Sequence, residues 1–332
     1  MTAETIDRGK LLGMSGAYWA TCTLHAAVKL EIFTIIGERL ITADELAQQL
    51  AGDLRATAML LDALCAMQLL TKSASGYRNS EAARKLLVKN SPDYVGHMIM
   101  HHHHLVESWM RLDEAVLSGA AVQPLIPREE SEQRESFLMG MYTIAMGTAP
   151  GLVPTLDLAG RTRLLDLGGG PGTWAIHFCE HNPGLTATVF DLPTTRPFAE
   201  KTIAQHGLSE RIAFQAGDFH SQKIEGGYDV VWMSQILHGE CPADCKKIVA
   251  KAARVLPPGG MLIIHEFILD DDRAAPLFPA LFSLNMLAVT QAGQSYSEGE
   301  LKRMMEKAGL VDIQRTSYRG PMESGVLVGH KH

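Results

Sequence analysis

The residues best suited to chemistry recur at the ends of short apolar runs in the second half of the chain. Leu164-Leu-Asp166-Leu-Gly168-Gly169-Gly170-Pro-Gly172-Thr-Trp reads as a buried strand, a glycine turn and the opening of a helix. Glycines in such a turn let a ligand approach the backbone and leave helix amides free to donate, which implies a nucleotide of some kind. The dinucleotide pattern G-x-G-x-x-G fails at Thr173 when read from Gly168, and from Gly170 it fits two residues late. Three carboxylates sharpen the reading. Asp166 lies in the strand before the loop, Asp191 ends the next strand 25 residues on, and Asp218 follows the third in Ala216-Gly-Asp-Phe219. An acid ending the second strand suits ribose hydroxyls. Asp166 would repel a pyrophosphate but favours a ligand carrying an amino group and a positive sulfur. Asp218 is placed to accept from an adenine amino group, with Phe219 available to pack on the ring. Asp166 taken singly also reads as a cap for the following helix; three acids at strand ends together favour the ligand.

His238, in Gln235-Ile-Leu-His238, closes the fourth strand, and Glu266, in Ile264-His-Glu266-Phe, closes the fifth, 28 residues later. Histidine suits a general base because its ordinary pKa lies near neutrality. A carboxylate bonded to one ring nitrogen leaves the other to accept a proton. Taken singly, His238 reads equally well as a histidine that opens a helix. The run His101 to His104, with Cys241 and Cys245, raises a metal site. Four consecutive side chains on a helix fan through about 300°, so at most His101 and His104 share a face, and the spacing matches no zinc pattern. No metal is expected.

These residues need a scaffold. Before about residue 150 the apolar spacing is helical; afterwards strands and helices alternate through RLLDL, TATVFDL, IAFQAGDF, YDVVWMSQIL and MLIIHEFIL, ending in a helical pair and two strands. Two domains are expected, 1–150 and 151–332, with Gly147 to Gly160 as the joint, since Pro150 and Pro154 punctuate it. The second is an α/β, doubly wound, mostly parallel sheet with helices on both faces, whose ligands sit at the carboxyl ends of the strands. In the first, Thr42-Ala-Asp-Glu45 reads as a capping box. A second helix from about Arg55 to Leu70 and a hairpin before Ser80 complete the order of a winged helix. That second helix is almost free of charge, and residues 1 to 100 hold ten Lys plus Arg against ten Asp plus Glu. It makes poor phosphate contacts and a good protein contact, so packing or dimerisation is expected and nucleic acid is not.

Composition bounds the rest. The chain has 332 residues, 46% of them apolar and 20% charged, enough for a large core and too long for one ordinary domain. No run reaches the roughly 18 uninterrupted apolar residues of a membrane span. A net charge of −7 gives no reason to expect an anionic membrane and suits a small neutral or cationic ligand. Five cysteines and an opening segment, MTAETIDRGK, without an apolar signal core point to a reducing cytoplasm without disulfides.

Taken in order, LLDLGGGPGTWA, VFDLP, AGDF, MSQILH and LPPGGMLIIHEFIL resemble the successive motifs of S-adenosylmethionine-dependent O-methyltransferases of the plant caffeate and bacterial hydroxyneurosporene or acetylserotonin type. The likeness runs along nearly the whole chain and includes an N-terminal winged-helix dimerisation domain. It implies a class I, Rossmann-like methyltransferase fold and a homodimer in which each subunit lends part of its partner's substrate pocket. It implies contact of S-adenosylmethionine with Gly168, Gly169, Gly170, Asp191 and Asp218, with Asp166, Leu192, Phe219 and Ser234 beside them. It makes His238 the base and Glu266 the carboxylate that orients it. Phe137-Leu-Met-Gly-Met141 resembles the segment flanking the methyl group, and Asn285-Met286 resembles residues lining the same space, although Met and Phe at helical spacing are otherwise ordinary core. The acceptor implied is a small, hydrophobic, aromatic or polyene-like hydroxyl compound.

Two departures stand out. The family follows its histidine with Asp-Trp, where this chain has Gly239-Glu240, and Ser295 replaces a second carboxylate. Support of the base is thereby reduced to Glu266. C- or S-methylation of a small molecule, and a non-catalytic regulator that senses S-adenosylmethionine, stay open. A nicotinamide dehydrogenase is disfavoured by Asp166 and the displaced glycine register.

Overall fold

The computed structural model describes residues 6–122 and 131–332; residues 1–5 of the opening segment lie outside the described residues. Two compact units form. One gathers residues up to His104 together with Glu135–Thr143, and the other gathers Leu105–Arg134 together with Ile144–His332.

The first unit opens with α1 (Arg8–Gly16) and α2 (Tyr18–Lys29), then α3 (Ile32–Ile36). The expected capping box is present: Glu45 N–H donates to Thr42 Oγ1 and Thr42 N–H to Glu45, starting α4 (Ala43–Leu50). Asp53 caps α5 (Leu54–Ala66). The hairpin follows as β1 (Leu70–Ser73) and β2 (Gly76–Asn79), then α6 (Glu81–Leu87) and α7 (Gly96–Trp109), whose residues from Leu105 on belong to the other unit. Ile32, Phe33, Ile36, Leu46, Leu61 and Leu64 make the core. The Asn79 amide donates to Phe33 O and Gly37 O and so closes the end of α3. By contrast α1 buries nothing; Leu11, Leu12, Met14, Tyr18 and Trp19 are exposed, Trp19 at 69%. An apolar face of that kind marks an interaction surface.

In the other unit, α8 (Leu112–Ser118) precedes α9 (Ser131–Leu152), whose residues divide between the two units. The boundary expected near 150 falls in the last turn of α9, which runs through Pro150. The ring removes one late helical hydrogen bond and the helix ends two residues on. By length and composition α9 would cross a bilayer, yet Leu138, Ala145, Ala149 and Leu152 are buried in protein, which marks a core helix.

Strand and helix then alternate: β3 (Arg163–Leu167), α10 (Thr173–His181), β4 (Thr186–Asp191), α11 (Arg196–Gln205), β5 (Ile212–Ala216), β6 (Val230–Ser234), α12 (Pro242–Arg254) and β7 (Met261–Glu266). After these come α13 (Leu277–Val289), α14 (Glu298–Lys307), β8 (Leu310–Arg315) and β9 (Gly325–Lys331). The sheet order is β5-β4-β3-β6-β7-β9-β8; the first five are parallel, and β9 is antiparallel to both neighbours. Alternate residues serve opposite faces. Val230 and Trp232 join one core with α10, whereas Val231 and Met233 join another with α12 and α14. The chain leaves β3 to one side for β4 and returns on the other as β6, so the crevice for a ligand opens above β3 and β6.

Candidate active site

The glycine turn leaves β3 at Gly168, whose φ of 70° lies in the left-handed region that glycine adopts without strain. Gly169 must be glycine for a different reason: a Cβ there would stand 2.5 Å from the Asp166 Cγ. Asp166 is 1% exposed. Its Oδ2 accepts from Ala175 N–H at 3.2 Å, but Oδ1 is buried without a partner. Burial pushes the Asp166 carboxyl up to about 7; the Ala175 amide pulls it down, and the nearby Asp191 raises it again. Across the turn, Asp191 Oδ2 accepts from Gly170 N–H at 2.8 Å, and its Oδ1 from Leu192 N–H and the Thr195 hydroxyl. Burial raises the Asp191 carboxyl while these donors lower it. A buried, half-satisfied acid under a glycine arch lacks a cation. The site thus fits a ligand bearing an ammonium or sulfonium on a nucleoside.

Asp218 stands two residues past β5, and its carboxylate accepts from His220 N–H at 2.8 Å and the Ser221 hydroxyl at 3.2 Å. Lys251 of α12 donates to the carbonyls of Phe219, His220 and Gln222, fixing that loop. Ser234, the last residue of β6, bonds His265 Nδ1 at 2.9 Å, and His265 Nε2 bonds Ser324 Oγ at 3.0 Å. Burial holds the His265 imidazole down at about 4, so it is neutral. The sequence gives no warning of this bridge, because the histidine is simply one of six buried residues on β7.

Strand β6 stops earlier than expected. Gln235 takes φ 58°, which ends the ladder, and His238 stands in a short 3-10 turn, Leu237–Gly239, rather than on the strand. The turn is clamped by three groups. Glu266 Oε1 accepts from Leu237 N–H at 2.9 Å, the Cys245 thiol donates to Leu237 O at 3.2 Å, and the Tyr296 hydroxyl donates to Glu240 O. Burial pushes the Cys245 thiol up to about 12, so it stays protonated as a donor. Gly293 comes so close that an added Cβ would overlap His238 O. Glu266 Oε2 takes His238 Nδ1–H at 2.8 Å, with side chains 15% and 4% exposed for His238 and Glu266. That bond fixes the tautomer: Nδ1 carries the proton and Nε2 has a free lone pair. Phe267 stacks on the ring and Phe282 meets it edge-on, with centroids 4.8 Å apart for the latter.

The two departures are visible in the geometry. Glu240 pairs with His220 at 3.0 Å, and Ser295, fully buried, donates to Pro279 O, so neither adds a carboxylate to His238. Sequence reasoning missed Cys245 and Tyr296 as supports of the turn; Cys245 was visible only as half of a cysteine pair. Tyr296→Phe removes the hydroxyl that holds Glu240 O, at a cost of about 1 kcal/mol or more. A melting-temperature fall of about 1–2 °C with a disproportionate fall in kcat is expected, and a fall in neither would deny the clamp.

On α13, Asn285 and Met286 are both buried; Met286 packs with Ala288, Val289, Leu105, Leu112 and Phe282. Phe137 and Met141 lie on α9 in the first unit, where Phe137 meets the His101 ring at 5.3 Å and Gly140 abuts Met98. Burial lowers His101 to about 4, with His102 and His104 adding to it, so it is neutral. Among the described residues no group of three or more His, Cys, Asp or Glu is placed to hold a metal.

Comparison with known proteins matches this arrangement. The family model of an O-methyltransferase domain fits residues 117–311, and that of an O-methyltransferase dimerisation domain fits residues 12–89. The 3-hydroxy-5-methyl-1-naphthoate 3-O-methyltransferase of Streptomyces sahachiroi is 34% identical over 97% of this chain and 94% of its own. An O-methyltransferase family protein from Burkholderia thailandensis superposes with a TM-score of 0.89 at 28% identity, covering 99% of each chain. Human N-acetylserotonin methyltransferase in complex with S-adenosylmethionine superposes at 0.87 and 25% identity, over 100% of this chain and 99% of that one. A parallel sheet with a glycine turn, a buried acid beneath it and a helical dimerisation domain ahead thus converge with these matches: the chain belongs to the O-methyltransferase family and is an S-adenosylmethionine-dependent methyltransferase.

Proposed function

We propose that the enzyme is a homodimer that methylates a hydroxyl of a small hydrophobic, aromatic or polyene-like acceptor, with His238 as general base and Glu266 as its orienting carboxylate. S-adenosylmethionine, when bound, supplies a methyl group on a positive sulfur. Asp166 offers its unpartnered oxygen to the cationic end of that molecule; Gly168, Gly169 and Gly170 let it approach the backbone. Asp191, beside Leu192, faces the ribose, Asp218 and Phe219 take the adenine, and Ser234 stands between the two ends. His238 Nε2 accepts the acceptor's proton, Glu266 steadies the imidazolium, and Phe267 and Phe282 keep water from the ring. Asn285 and Met286 on α13, with Phe137 and Met141 on α9, take the acceptor; the role of all four rests on the sequence resemblance.

The observation that carries this reading is the 2.8 Å bond from His238 Nδ1 to Glu266 in a turn clamped from three sides. A base so fixed serves proton removal from a hydroxyl, which methylation of sulfur in a thioether would not need. The exposed apolar face of α1 and α2 supports pairing of two subunits through the dimerisation domain.

Incubation with isotope-labelled S-adenosylmethionine and a panel of hydroxyarenes, followed by mass analysis and NMR of the products, tests it. Methyl ethers are expected. A methyl on ring carbon or on sulfur would overturn the hydroxyl assignment while leaving the cofactor untouched.

A further inference from the structure

His265 stands outside the catalytic pair and is 3% exposed, yet both of its ring nitrogens are engaged. Nδ1 lies 2.9 Å from Ser234 Oγ at the end of β6, and Nε2 lies 3.0 Å from Ser324 Oγ, just ahead of β9. Trp232 stacks on the ring at an interplanar angle of 24° and Trp174 meets it edge-on, which holds the imidazole in one orientation. The ring is neutral, so it has a single N–H and a single lone pair, and one serine faces a donor while the other faces an acceptor. Burial decides which. Ser324 is buried, and among the described residues its Oγ has no partner besides His265. Were Nε2 protonated, the Ser324 hydroxyl would accept, and its own hydrogen would be buried with nothing to receive it. The hydroxyl therefore donates to Nε2, the ring proton sits on Nδ1, and Nδ1–H donates to Ser234. Among the described residues Ser234 Oγ bonds no other group, so its own hydrogen is left for a ligand.

The sheet places that hydroxyl beside the glycine turn. Leu167 of β3 pairs with Met233 of β6, so the next residue, Ser234, comes level with Gly168, where the turn begins. Asp166 pairs with Trp232. Leu164 and Trp232 belong to the core shared with α10, and side chains alternate along a strand, so Asp166 and Ser234 look out on the same face, about 6.5 Å apart along the strands. One offers an unpartnered carboxylate oxygen and the other a spare hydroxyl hydrogen. Those are the complements of the ammonium and the carboxylate of one amino-acid group.

We infer that His265, itself held by Ser324, is a positioning residue that commits the Ser234 hydroxyl to donate, so that Ser234 takes the carboxylate of the cofactor's amino-acid tail while Asp166 takes its ammonium. The inference rests on the reading of Asp166 given above. His265 touches no ligand; it acts through Ser234 alone.

Two measurements on the full-length protein test this. With isotope-labelled histidine and no ligand, long-range proton–nitrogen NMR should show His265 protonated on Nδ1 alone. Calorimetry should then show S-adenosylhomocysteine binding about 30-fold more tightly than its decarboxylated analogue, in the range of a hydrogen bond to a charged group. Ser234→Ala and His265→Phe should each lower that ratio about tenfold, and the double substitution should lower it no further, because the two residues act as one unit. A merely structural loss would weaken both probes alike. His265→Asn, whose amide N–H can stand in for Nδ1–H, should keep most of the ratio, and Ser234→Ala carries the test if His265→Phe does not fold. A His265 proton on Nε2, equal binding of the two probes by the unaltered protein, or a ratio that survives Ser234→Ala overturns the inference. Asp166→Asn separates the two readings: both probes carry the ammonium, so both should weaken alike while the ratio persists. Undiminished binding of both in that variant would sink the Asp166 reading and leave the relay to stand or fall on the ratio.

Discussion

Replacing His238 by alanine is expected to lower kcat about a thousandfold while the affinity for S-adenosylmethionine stays within a few-fold. Positioned general bases contribute roughly 10²- to 10⁴-fold, and the middle of that range suits a base with one supporting carboxylate. The cofactor contacts proposed here come from β3, β4, β5 and the end of β6, and none passes through the imidazole. Glu266→Gln provides a graded companion. Glutamine can still accept from Leu237 N–H, so the turn survives, but the imidazolium loses its counter-charge, and a loss of about ten- to a hundredfold in kcat is expected. Pre-steady-state measurement of methyl transfer with saturating acceptor checks both. Unchanged turnover in His238→Ala would mean that alignment of acceptor and methyl alone suffices.

The second large effect is at Asp166. Asp166→Asn removes the one carboxylate buried beneath the glycine turn with an unpartnered oxygen. Truncating one partner of a buried charge pair costs about 2–5 kcal/mol, so S-adenosylmethionine affinity should fall by roughly thirty- to five-thousandfold. The sign of the pH dependence follows from the carboxyl's pKa of about 7 in the folded protein without ligand. Below that pH the group holds a proton that a cationic ligand must displace, so affinity weakens as pH drops from about 8 to 6. In Asp166→Asn this slope disappears. Stability of the unliganded protein runs the other way: the folded state binds a proton that the unfolded chain releases near 3.8, so stability falls as pH rises between about 4 and 7. His265, lowered to about 4, adds an opposing trend at acid pH. The informative quantity is therefore the difference in melting temperature between wild type and Asp166→Asn across that window, with the variant gaining as pH rises.

Much of this is legible in the sequence, for local reasons. A strand, a glycine turn and a helix are written in consecutive residues, so β3, Gly168 to Gly170 and α10 could be read directly, and Asp166 and Asp191 with them. The alternation beyond residue 160 announced the parallel sheet for the same reason. What escaped the sequence depends on partners distant along the chain. Trp109 meets Asn285 from 176 residues away, and Tyr296 reaches Glu240 from 56. Cys245 carried a misleading cue, because its spacing from Cys241 suggested ligands when its thiol serves the carbonyl of Leu237. The end of β6 was misjudged because nothing in Gln235-Ile-Leu-His238 signals that a glutamine will take a positive φ; tertiary contacts impose it. The junction near 150 is less legible, because two prolines look like a stop, whereas one of them fits inside the last turn of α9.

The most direct measurement is a crystal structure of the protein soaked with S-adenosylhomocysteine. The account predicts the nucleoside over β3 and β4, its amino group against Asp166 Oδ1, and its sulfur directed toward His238 Nε2. Density for the ligand elsewhere, or an imidazole whose Nε2 points away from the sulfur, would contradict it.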